Sequence, residues 1–92
     1  MHFDEKGFAD IFRRFVPDER IERLEFVSQD GVTQITAVVN VNRDVPYDGQ
    51  GLLRSIGGSV VDANDYRIVI DGEFKGKRCR LTITTAAPVG RT

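Results

Sequence analysis

The stretch Tyr66 to Thr85, YRIVIDGEFKGKRCRLTITT, decides the fold. Tyr66, Ile68, Ile70 and Phe74 fall on one side of it, and Arg67, Asp71 and Glu73 on the other, with Val69 the one apolar residue among them. A period of two belongs to a strand with one buried and one wet face. Lys75-Gly76-Lys77 supplies a turn, and Arg78 to Thr85 returns with Cys79, Leu81 and Ile83 inward and Arg78, Arg80, Thr82 and Thr84 outward. The spacing predicts an antiparallel hairpin. A sheet that is apolar on one face only has to be covered on that face.

The cover is found upstream. From Phe8 the apolar residues Ile11, Phe12, Phe15 and Val16 recur at helical spacing, which predicts an amphipathic helix over the segment Phe3 to Val16. Asp4 is the expected N-cap, Arg13 and Arg14 favour the negative end of the helix dipole, and Pro17 ends the helix. Gly7 costs its first turn about 1 kcal/mol relative to alanine. Ile21 to Ser28 alternates, with Leu24 and Phe26 opposed to Arg23 and Glu25, and Gln29-Asp30-Gly31 is a hairpin signal. Val32 to Val41 answers it, with Ile35, Ala37, Val39 and Val41 on one face. Asn42 to Gly58 breaks the alternation with Pro46 and four glycines and predicts a loop with one or two helical turns near Gly51 to Ile56. Ser59 to Ala63 is a short strand candidate closed by Asn64-Asp65. The expected fold is α+β: an antiparallel sheet of four to five strands, covered on one face by the N-terminal helix, with residues 87–92 a loose tail.

The 92 residues, 40% hydrophobic and 29% charged, correspond to one globular domain spanning 1–92. A chain this short buries roughly 60 to 65 per cent of its unfolded surface and has little room for a deep pocket of several hundred cubic ångströms. The single cysteine excludes an intrachain disulfide and a multi-cysteine zinc site. The start, Met-His-Phe-Asp-Glu-Lys, lacks the cationic and apolar character of a signal peptide, and no apolar run is long enough to span a membrane, so the expected location is the cytoplasm.

Catalysis by a nucleophile needs a base beside it, usually histidine. The only histidine is His2, at the chain start, and Cys79 is expected to be an inert core thiol. Asp62 with Asp65, and Asp71 with Glu73, read as turn and surface carboxylates rather than an acid–base or metal site. The run Asp48 to Ser55 lacks the lysine of a phosphate-binding loop. The chain is therefore expected to be no enzyme and to hold no metal or cofactor.

Charge is segregated. The net charge is −1, but residues 1–65 carry 7 Lys/Arg against 12 Asp/Glu, and residues 66–92 carry 6 against 2. Arg67, Arg78 and Arg80 project from one face of neighbouring strands, with Lys75 and Lys77 at the tip. They form a basic binding patch unless Asp71 and Glu73 neutralise it, and both outcomes are open. Arg43 and Arg54, in the long loop segment, are further candidate contacts.

From MHFDEKGFADIFRRFVPDER through VNVNRDVPYDGQGLLRSIGG to FKGKRCRLTIT, the chain resembles small phage-encoded anti-CRISPR proteins directed against type I-F systems. The resemblance spans the whole chain rather than one motif. It implies a non-enzymatic inhibitor, acting in the host cytoplasm, that binds the CRISPR-associated proteins of the crRNA-guided surveillance complex, with or without direct crRNA contact, and blocks hybridisation of target DNA. The alternative is a homo-oligomeric structural or assembly module of a phage or bacterial particle that uses an edge strand.

Overall fold

The computed structural model describes residues 2–41, 45 and 47–86. Helix α1 covers Glu5–Phe15. Asp4 starts it by accepting a hydrogen bond from the Gly7 N–H at 2.9 Å, which satisfies one of the unpaired donors of the first turn. A single 3-10 turn, Asp18–Arg20, leads into strands β1 (Ile21–Gln29) and β2 (Val32–Val39). Helix α2 covers Gly49–Ser55, capped by Asp48, and strands β3 (Ser59–Ala63), β4 (Arg67–Phe74) and β5 (Lys77–Thr85) complete the order. The expected tail at 87–92 lies outside the described residues.

Both hairpins turn on two residues of positive φ, Asp30-Gly31 (56° and 79°) and Lys75-Gly76 (52° and 79°). Two-residue turns of this hand match the twist of paired strands. The sheet order is β1-β2-β5-β4-β3. The α+β class, the five strands and the N-terminal helix agree with the sequence, but the pairing at the centre differs. Three ladders are antiparallel, whereas β2 and β5 run parallel, with Thr33 opposite Cys79 and Val39 opposite Thr85. The two hairpins abut through their second strands. The connection through α2 and β3 brings the chain back so that those two strands point the same way.

The core lies between the helices and one face of this sheet. Phe8, Phe12 and Val16 of the helical segment meet Ile35, Ala37, Val39, Ile70, Cys79, Leu81 and Ile83 of the strands, with Leu52 and Ile56 closing the α2 end. Phe8 and Phe12 are fully enclosed, and burying each contributes roughly 2 to 3 kcal/mol. Phe8 meets Phe26 and Phe74 edge-on, at centroid distances of 5.9 and 5.6 Å. Two residues expected inward are exposed instead: Tyr66 (55%) precedes β4, and Val41 (43%) lies past the end of β2, so neither reaches the helical cover.

Gly72 takes an inward position of β4 where any side chain forces its neighbours to shift. A Cβ there would stand 2.8 Å from the Ile56 carbonyl oxygen, which accepts a hydrogen bond from the Glu73 N–H at 2.9 Å. Arg20 is a buried charge with no carboxylate partner among the described residues. Its Nε and Nη2 donate to the Asn40 carbonyl at 3.1 and 2.9 Å, its Nη1 donates to the Val45 carbonyl at 2.7 Å, and its guanidinium lies over the Tyr47 ring. The loop after β2 is thereby tied to the start of β1.

Candidate functional site

With the helices on one side, no described helix or loop covers the other face of the five strands. Ladder register places its residues. Glu25, Thr36, Thr82, Val69 and Asp62 form one row across the sheet, and Val27, Gln34, Arg80, Asp71 and Ser59 form the next. A third row holds Arg23, Val38, Thr84 and Arg67. Thr36, Val38, Val69, Thr82 and Thr84 are half-buried by their neighbours alone and make a flat β-branched centre. Charged side chains surround it.

Most of these charges are paired. Arg80 donates from Nε to Asp71 Oδ1 at 2.6 Å and from Nη2 to Asp71 Oδ2 at 3.0 Å, a bidentate pair across the β4–β5 ladder. The hydrogen bond from Arg80 holds the Asp71 carboxyl below the usual carboxylate range, and the same bond raises the arginine. Arg67 reaches Asp62 at 2.9 Å, and Arg23 reaches Glu25 at 3.4 Å. Arg78 differs from these three. Glu73 lies opposite it in the ladder, yet no carboxylate oxygen among the described residues comes within ion-pair distance of its guanidinium.

The fold brings together only part of the set read from the sequence. Arg67, Arg78 and Arg80 share the open face as expected. Lys75, expected at the tip of a basic patch, reaches to the helical side and pairs with Asp4 at the start of α1. That hydrogen bond, with the Gly7 N–H, keeps the Asp4 carboxyl low. Lys77 opens β5 opposite Phe74, half-buried. Arg54 is an exposed residue of α2, in the helical layer. Arg43 lies outside the described residues.

Two shallow depressions meet at Arg78. One, of about 220 Å³, lies on the open face between Val32, Gln34, Asp71, Arg78 and Arg80, over the backbone of Gly72 and Cys79. The other, of about 170 Å³, lies at the hairpin end of the sheet, lined by His2, Phe3, Ser28, Gly31, Thr33, Lys77 and Arg78. His2, expected to be uninvolved, is part of this second lining. Only a register linking the chain start to both hairpin turns could have placed it there.

Cys79 is buried at 2% exposure, and burial, reinforced by the charges of Asp71 and Glu73, pushes its thiol up to about 11. At neutral pH it is a thiol packed in the core, not a thiolate nucleophile. Among the described residues no cluster of His, Cys, Asp and Glu could hold a metal ion, and no helix is long and apolar enough to cross a membrane. Comparison with protein-family models, with curated proteins and with solved structures returns no match to this chain.

Proposed function

We propose that this protein is a non-enzymatic binding inhibitor that uses the open face of its sheet against a ribonucleoprotein, namely the crRNA-guided surveillance complex of a type I-F system, and blocks hybridisation of target DNA. The single observation that carries the binding reading is that face: five strands wide, β-branched at its centre, rimmed by charge and covered by none of the described residues. Five strands at about 4.8 Å spacing and some five residues of length present on the order of 400 Å², half of what one side of a standard interface buries. A β-branched centre without charge inside a charged rim matches the depletion of charged residues at the core of such interfaces. The partner's identity is supported by the whole-chain resemblance to type I-F anti-CRISPR proteins.

The test is a band-shift assay of target DNA on purified type I-F surveillance complex. An equimolar amount of this protein abolishes the shift, and Thr82→Arg with Thr84→Glu at the centre of the face restores it while the variant stays folded. Full DNA binding in the presence of excess wild-type protein would remove the reading.

A second reading has its own observation. β3 is an edge strand, exposed along its whole length, and it presents Val60 and Val61 at 46% and 50% exposure. Unpaired edges of this kind pair with other strands, which favours a homo-oligomeric assembly module. The register shift between Val60 and Asp62 bends that edge and counts against it. A concentration-independent monomer in sedimentation velocity would remove it.

A further inference from the structure

We infer that the hairpin end of the sheet around Arg78 is an anion site, built to take phosphodiester groups of a single-stranded nucleic acid without reading its bases. This deepens the reading above and takes from it only that the open face is a binding surface.

Folding cancels half of the basic excess of residues 66–92, because Arg67 and Lys75 are neutralised by Asp62 and Asp4 from outside that segment, while Arg80 is neutralised within it by Asp71. Positive charge not compensated in this way is concentrated at Arg78. It stands at the shared edge of two depressions, whose linings also hold His2, Lys77 and the Asp71-paired Arg80. Among the described residues no carboxylate lines the 170 Å³ depression, and it adds one hydroxyl donor, because the Ser28 and Thr33 hydroxyls share a hydrogen bond of 3.1 Å in which either can donate. The one carboxylate beside the other depression, Asp71, already has both oxygens occupied by Arg80.

Cations with hydroxyl groups suit the several acceptor oxygens of a phosphodiester. Among the described residues Phe3 is the one Phe, Tyr or Trp in either lining and is only 8% exposed, so it offers no stacking platform for a base. The site therefore reads charge and not sequence.

The probe is a fluorescent single-stranded RNA of about a dozen nucleotides and mixed sequence, titrated at several salt concentrations. Arg78→Ala is expected to weaken binding roughly tenfold and to lower the slope of log affinity against log salt by about 0.7. Arg23→Ala removes the same charge from the same face but from within an ion pair, and is expected to change affinity less than about twofold. Equal losses in the two variants, no loss in either, or no binding of the RNA by the wild type would each overturn the site, as would preference for a polyglutamate peptide over the RNA. Loading of the wild type onto the surveillance complex, measured separately, distinguishes the two ideas. A protein that blocks the complex but ignores free RNA loses this site and keeps the inhibitor reading, and one that binds RNA but leaves the complex active does the reverse.

Discussion

Arg80 holds both carboxylate oxygens of Asp71 across the β4–β5 ladder, at 2.6 and 3.0 Å, and so removes two charges from the open face at once. Asp71→Asn keeps the size of the side chain and releases the guanidinium. Affinity for single-stranded RNA is expected to rise severalfold and the salt slope to steepen by about 0.7. Fluorescence anisotropy at two salt concentrations checks both, and an unchanged slope would place Arg80 away from the bound phosphates.

Arg20 is satisfied by carbonyls and an aromatic ring, not by an opposite charge. Its planar fork reaches the carbonyls of Asn40 and Val45 together, which an ammonium cannot do in the same geometry. Arg20→Ala is expected to cost about 2 kcal/mol or more in urea unfolding, since it leaves two carbonyls with fewer donors. Arg20→Lys is expected to recover less than half of that loss.

Gly72→Ala tests the close approach of β4 to the end of α2. The added methyl meets the Ile56 carbonyl and the Ile56 side chain at 2.8 and 3.0 Å, so the hydrogen bond from Glu73 has to give way. Destabilisation of about 1 to 3 kcal/mol is expected, with faster amide exchange at Glu73 as the local sign.

Asp4 links the start of α1 to the tip of the β4–β5 hairpin through Lys75. Its carboxyl is held below the ordinary 3.8, chiefly by the Lys75 hydrogen bond. A depressed carboxyl contributes stability that is present above the unfolded value and is lost as pH falls through the folded one. Asp4→Asn can still cap the helix but loses the ion pair. Its Tm is therefore expected to lie below wild type at neutral pH, and the gap to close as pH is taken below about 4.

Cys79, with its thiol pushed up to about 11, is expected to resist a thiol reagent in the native protein at mildly alkaline pH and to react at once in denaturant. Rapid modification of the folded protein would show that the sheet opens around β5.

Local chemistry explains which parts of this fold can be read from sequence. The alternation in Ile68, Ile70, Cys79, Leu81 and Ile83, the Asp30-Gly31 turn and the helical spacing from Phe8 to Val16 are short-range signals, and each formed its element. The parallel ladder between β2 and β5 has no local signature, because a strand's pattern records that it is buried, not what lies beside it. The same holds for charge. Arg67 and Arg80 read as a patch, but their partners Asp62 and Asp71 are recognised only once register is known. Lys75 left the patch for Asp4, 71 residues away in sequence, and Tyr66 and Val41 missed the core because alternation does not say where a strand stops.

The parallel pairing also sets an order of events for a growing chain. β1 can close on β2 as soon as the Asp30-Gly31 turn exists, but the flank of β2 that will sit at the middle of the sheet waits for the last strand. Until β5 leaves the ribosome, Ile35, Ala37 and Val39 belong to a hairpin with a bare inner edge, and closing the sheet then requires a loop spanning α2, β3 and β4. Termination between Val39 and Lys77 therefore leaves the inner edge of β2 unpaired, and β5 acts as the keystone of the sheet.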